Sequence, residues 1–114
     1  MVSLAPPETF KRRADFLRLA SRARKLARPG FVMQVARSGG EKPFRVGYTA
    51  TKKIGNAVAR NRARRRLKEA ARLTFAAAPL DGFEMVLVCR KETAGLPFNT
   101  LCANLQTALA EVTK

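Results

Sequence analysis

Apolar and polar positions change their period along this chain, and each change marks an element. From about Arg13 to Ser21, Phe16, Leu17, Leu19 and Ala20 fall at helical spacing and predict a first helix. Arg22 to Pro29 reads as a basic connector in which Lys25-Leu26-Ala27 can make a short edge strand, ended by a Pro29-Gly30 turn. FVMQVAR, Phe31 to Arg37, has the length and β-former content of a strand. Ser38 to Pro43 has the glycine and proline of a hairpin connection, so Phe44 to Thr51 is expected as the return strand, with Phe44, Val46, Tyr48 and Ala50 on one face. Asn56 is a good N-cap for a long helix reaching about Phe75. Pro79 and Asp81-Gly82 then break the chain. Phe83 to Arg90 is apolar without alternation, the mark of a central strand. After a turn at AGLPFN, the stripe Leu101, Leu105, Ala108, Leu109 and Val112 predicts a closing helix over Thr100 to Val112.

This order predicts an α+β fold, a two-layer sandwich with helices on a small mixed sheet and an αβββαβα sequence of elements. The strands on either side of the long helix can pair in parallel as a βαβ unit. A chain of 114 residues suits one domain, expected over 11–114, after a flexible N-terminal tail at 1–10 that contains Pro6-Pro7. No repeat or low-complexity segment interrupts it.

Composition narrows the function. The apolar content of 46% suits a globular protein. No run approaches the roughly 18 apolar residues of a membrane span. MVSLAPPETF lacks the basic and apolar regions of a secretory signal, which makes the cytoplasm the expected compartment. Cys89 and Cys102 match no zinc spacing and no histidine is present, so they read as small buried thiols.

Charge changes the picture most. The net charge is +15, and it is unevenly placed: residues 1–75 carry 20 of the 23 Lys and Arg and four of the eight acids. Such focusing is the electrostatic footprint of nucleic-acid binding. Projected at 100° per residue, Asn56 to Phe75 puts Ala59, Ala63, Leu67, Ala70, Ala71 and Thr74 in one narrow sector of small residues, suited to close approach to the sheet. Arg60, Arg62, Arg64, Arg65, Arg66, Lys68 and Arg72 fill most of the remainder. A merely solvated face would mix signs to gain i,i+4 pairs, and only Glu69 is available for that. Alanine offers little to insert into lipid, which disfavours a membrane surface. Arginine forks suit bidentate phosphate contact. Lys11, Arg12, Arg13, Arg18, Arg22, Arg24, Lys25 and Arg28 make a second basic surface, an arrangement that suits a folded RNA, or two RNAs, better than a duplex groove.

Lys52-Lys53-Ile54-Gly55-Asn56-Ala57-Val58, Arg60-Asn61-Arg62, Arg65 and Lys68-Glu69 together resemble the signature of the protein subunit family of bacterial ribonuclease P. Asp15-Phe16, Phe31 and Arg45-Val46-Gly47 are similar to that family as well, and the likeness covers roughly residues 11–112. The resemblance implies a ribosomal-protein-like fold with a left-handed βαβ crossover. It also implies that the Arg60-Asn61-Arg62 helix, with Arg64, Arg65 and Lys68, docks on a catalytic RNA subunit. A cleft between the first helix and the sheet would take the single-stranded 5′ leader of precursor tRNA, with Arg12, Arg13, Phe16, Tyr48, Lys52, Lys53 and Asn56 as its candidate residues. The implied chemistry, hydrolysis of one phosphodiester, belongs to the RNA, which requires Mg2+; no cofactor held by protein residues, no protein partner and no membrane are expected.

The residues themselves allow that division. General acid–base or two-metal hydrolysis would want paired histidines or clustered carboxylates, and the acids are scattered. Unpaired bases stack on aromatic rings, yet Ala20 and Gln34 stand where the family often has aromatics. Phe16 reads equally as core. Gly55 is either a phosphate-approach glycine or a turn residue. The Asn61 amide, unfavourable in a helix, either contacts RNA or holds the Lys52–Asn56 turn, and the second is expected. A structural protein of the ribosomal type and a free-standing basic nuclease are the rival readings.

Overall fold

The apolar run at Phe83–Cys89 forms a strand, β5, and the sheet is arranged around it. The structure is a computed structural model that describes residues 8–9, 18–19, 21, 23–37, 44–76 and 81–113. Strands β1 (Glu8–Thr9), β2 (Arg24–Arg28), β3 (Phe31–Arg37) and β4 (Arg45–Thr49) precede β5, and helices α1 (Ala57–Phe75) and α2 (Phe98–Val112) flank it in sequence. Arg18, Leu19 and Ser21 are helical, the described part of the first expected helix. The result is the α+β order expected.

The five strands lie in the order β1-β4-β5-β3-β2. β4 pairs with β5 in parallel, Val46 against Met85 and Tyr48 against Leu87, so α1 is the crossover of a βαβ unit. β3 runs antiparallel to β5 on its other side, Met33 against Leu87. This corrects one expectation: β4 does not return against β3, because β5 lies between them. A strand apolar on both faces needs a neighbour on each side and a cover over each face, and the outer position would leave one edge of it in water. The real hairpin is β2–β3, closed at Pro29-Gly30, which confirms Lys25-Leu26-Ala27 as edge strand. Glu8–Thr9, read from sequence as tail, pairs in parallel with Arg45–Val46 and extends the opposite edge. The rest of the tail lies outside the described residues.

One face of the sheet carries the main core. Phe31, Met33, Val46, Met85 and Leu87 meet Leu67 of α1 and Leu101 and Leu105 of α2 there. The small sector of α1 is buried as read, at Ala63, Leu67, Ala70 and Ala71, with Phe75 closing it edge-on to Phe44. Its principal neighbour is α2 rather than the sheet. α2 begins at Phe98, two residues before the expected start, because Pro97 is already in the extended conformation of an N-cap. Burial pushes the Cys89 thiol up to about 11, with the charge of Arg64 acting in the opposite direction. No helix among the described residues is long and apolar enough to cross a membrane.

The β2–β3 turn and the loop after β5 are tied by one buried hydroxyl. Thr93 Oγ1 donates to the Gly30 carbonyl at 2.6 Å and accepts from the Arg90 N–H at 2.7 Å. Gly30 has φ +98°, and a Cβ there would lie 2.7 Å from Leu96 Cδ1, so the turn needs glycine for both reasons. Thr93→Val keeps the shape and strips both bonds, leaving a buried carbonyl and N–H without that partner. It should lower stability by about 1–3 kcal/mol in urea unfolding. An unchanged midpoint would show that the tie contributes nothing.

Candidate nucleic-acid interface

The basic helix is launched by a turn that secures itself. A single 3-10 turn spans Lys52–Ile54, with Ile54 N–H donating to Thr51 O and Gly55 N–H to Lys52 O. Gly55 has φ +143°, and a Cβ would come 3.2 Å from Ala59 Cβ, so the turn requires glycine at this position. Asn56 then caps α1 as expected, its Oδ1 accepting from the Ala59 N–H at 2.9 Å. Asn61 takes no part in this turn, contrary to expectation. Its Oδ1 accepts from Arg64 Nη2, one turn along the exposed face.

The cations of α1 divide into two sets. Arg62, Arg65 and Lys68 are exposed and have no ion-pair partner among the described residues. They follow one another at intervals of three, so neighbouring side chains start about 5–6 Å apart on one ridge. Arg60, Arg64 and Arg66 are half-buried. Arg66, read from sequence as part of the exposed face, is instead a structural tie. Its Nη2 donates to the Leu96 carbonyl and its guanidinium lies 5.8 Å from the centre of the Phe98 ring, joining α1 to the start of α2. Arg72 is engaged by Glu69 through bonds of 2.6 and 3.1 Å, which hold the Glu69 carboxyl below its usual range.

Lys52 and Lys53 stand exposed on the turn before α1. Sequence reasoning gave no role to Arg90 and Lys91, yet the structure brings them to the same end of the sheet. Thr49 pairs with Val88, so the turns that follow β4 and β5 leave the sheet side by side. Two consecutive cations closing an apolar strand were the available signal.

The second basic surface is smaller than its count of cations. Arg18 is bound by Glu84, while Arg24 and Arg28 both engage Glu111 on α2. Lys25 remains exposed. It lies in one row with Gln34, Val86 and Gly47, on the sheet face opposite α1 and α2. The helical segment at Arg18–Leu19 covers part of this open face, with Leu19 fully buried in a cluster with Val86. Arg12, Arg13 and Phe16 lie outside the described residues, as do Lys11 and Arg22.

Tyr48 is on the wrong face for the role expected of it. Paired with Leu87, it points to the main core, where burial pushes its phenol up to about 12. The period of two fixed this: Phe44, Val46 and Tyr48 share a face, and that face is the one α1 covers. The described acids offer no cluster. Glu69, Glu84, Glu92 and Glu111 are each held by arginine, and no group of three possible metal ligands occurs among the described residues.

The family model described as Ribonuclease P matches residues 4–113. The ribonuclease P protein component of Gluconacetobacter diazotrophicus is 48% identical over 100 residues, covering 88% of this chain and 86% of the relative. That of Paramagnetospirillum magneticum is 45% identical over 109 residues, covering 92% and 82%. Among solved structures, the RNase P protein of Thermotoga maritima superposes with a TM-score of 0.74 at 27% identity, covering 90% of this chain and 94% of that one. The Staphylococcus aureus RNase P protein gives a TM-score of 0.75 at 22% identity over 94% and 96%, a likeness of fold.

Tyr48 is the one tyrosine and there is no tryptophan, so its ionisation can be followed directly by phenolate absorbance. The native phenol should hold its proton to a pH near 12, against 10 for the unfolded chain. Between those values only the unfolded state releases the proton, so stability should fall as pH rises through that window. A native midpoint near the ordinary tyrosine value would place the ring in water and return it to the candidate interface.

Proposed function

The chain belongs to the ribonuclease P protein family, and from that premise we propose that it is the RNA-binding subunit of a ribonuclease P holoenzyme that removes the 5′ leader of precursor tRNA in the cytoplasm. The observation that carries the reading is the ridge of Arg62, Arg65 and Lys68, exposed with no ion-pair partner among the described residues on a helix where Arg66 and Arg72 are engaged within the protein. These three side chains, with Arg60, Asn61 and Arg64 beside them, contact phosphates of the catalytic RNA. Lys52 and Lys53, with Arg90 and Lys91 at the same end, extend the positive surface toward the substrate. The Asn56 side chain caps the helix and contributes by placing those lysines.

The leader lies along the open sheet face, where Lys25 and Gln34 remain accessible. Gln34 and Lys25 offer hydrogen bonds and charge there instead of a ring to stack on, and Tyr48 does not compensate. Phosphodiester hydrolysis belongs to the RNA and its Mg2+ in this reading. Glu69, Glu84, Glu92 and Glu111 are committed to arginines, and the protein's part is electrostatic. Leader phosphates and a catalytic RNA repel one another; a chain of net charge +15 between them offsets that repulsion and lowers the divalent cation needed.

Two measurements test this. Precursor tRNA cleavage at low Mg2+ should occur with protein and catalytic RNA together and with neither alone; cleavage by the protein alone would move the active site into the chain. Replacing Arg62, Arg65 and Lys68 with glutamine should weaken binding to the catalytic RNA and flatten its salt dependence by about one unit of slope per lost phosphate contact. An unaltered slope in the triple variant would remove this ridge from the interface.

A further inference from the structure

The open sheet face holds a carboxylate that the proposed function does not use. Glu84 interrupts the apolar run of β5 and is only 3% exposed. A buried carboxylate is strongly unfavourable unless charge and hydrogen bonds compensate it. Arg18 supplies both, with Nη2 at 2.7 Å from Oε2 and Nη1 at 3.3 Å from Oε1. Arg45, its partner across the β4–β5 pair, adds Nη1 at 3.6 Å. Beside this pair Leu19, the residue after Arg18, is fully buried in a cluster with Val86, which shares the Glu84 face of β5. An ion pair and an apolar contact thus hold one helical segment at one height over the open face.

We propose that Glu84 is a positioning residue: through Arg18 it latches the first helical segment onto β5 and so fixes the width of the groove that receives the leader. The inference rests on the reading that the leader lies on this face. Burial of a pair like this is a poor source of stability, since apolar substitutes of similar volume often do as well. A bidentate arginine–carboxylate pair instead fixes direction, because the planar fork admits one orientation. Arg18 and Arg45 bracket Glu84 from the helical segment and from β4, so the carboxylate sets the segment's distance from the two parallel strands. The rows beyond it, through Lys25–Gln34–Val86–Gly47 to Ala27–Val32–Val88–Thr49, lead to the Lys52–Lys53 end of the sheet. The latch therefore closes one end of a strip whose other end is the basic turn.

The experiment uses holoenzyme reconstituted from full-length protein and catalytic RNA. It compares affinity for precursor tRNA carrying a long leader with affinity for one trimmed to a single nucleotide. In Glu84→Gln the advantage of the long leader should fall about tenfold, the loss expected for one charge-assisted pair, while affinity for the catalytic RNA stays unchanged. Hydrogen exchange at the Leu19 amide should accelerate in the same variant. Arg18→Lys, which keeps the charge, should retain more of the advantage than Arg18→Gln. A full leader advantage in Glu84→Gln overturns the latch and leaves the leader reading standing. Equal loss of catalytic-RNA affinity also overturns it, since the residue would then act on the fold at large. A wild-type holoenzyme indifferent to leader length overturns the leader reading and the groove role with it; unaltered Leu19 exchange overturns the Glu84–Arg18 clamp by itself.

Discussion

β5 is apolar on both faces, and the rest of the structure follows from covering them. Met85, Leu87 and Cys89 face the helices, while Val86 and Val88 face the opposite way with the buried Glu84. A strand this apolar takes the middle of the sheet, with β4 in parallel on one side and β3 antiparallel on the other. A parallel neighbour cannot be reached by a tight turn. The chain must cross over the sheet between β4 and β5, and the crossover element is α1. The helix that carries the cations is therefore held on the core side by the same requirement that places β5.

Placing cations so densely on one helix carries a cost in self-repulsion, and the fold limits it selectively. Arg66 and Arg72 are engaged by a carbonyl and a carboxylate, and Arg18, Arg24 and Arg28 by acids distant in sequence. The exposed pairs among these, Arg72–Glu69 and Arg24–Glu111, add little stability. Their consequence lies in what they leave over: Arg62, Arg65 and Lys68 on α1, Lys52 and Lys53 before it, and Lys25 on the open face. The exposed positive surface is defined as much by the cations withdrawn from it as by those that remain on it. A count of charges along the chain sees only the sum.

The two faces of the sheet thereby acquire different roles. One is filled by Phe31, Met33 and Leu87 against α1 and α2 and gives the molecule its core. The other is only partly covered by the Arg18–Leu19 segment, and its buried charge has meaning only with that segment in place. The ribosomal-type rival shares the charge and the layer arrangement, and the leader groove proposed for this face is what would separate the two readings.

Local chemistry was legible in the sequence wherever neighbours in the chain decide the outcome. Asn56 as cap, the buried stripe of α1 and the strands at Phe31–Arg37 and Phe83–Cys89 depend on spacing and backbone preference, which a linear string records. The charge focus and the spaced Lys52–Glu69 signature likewise sufficed for the family. Tertiary structure alone decided which partners meet. It inserted β5 between β3 and β4, turned Tyr48 into the core, drew Arg66 to Leu96 and paired Arg18 with Glu84, 66 positions away. Periodicity states which residues share a face; which face another element covers is set by the closure of the whole core, and that term is non-local.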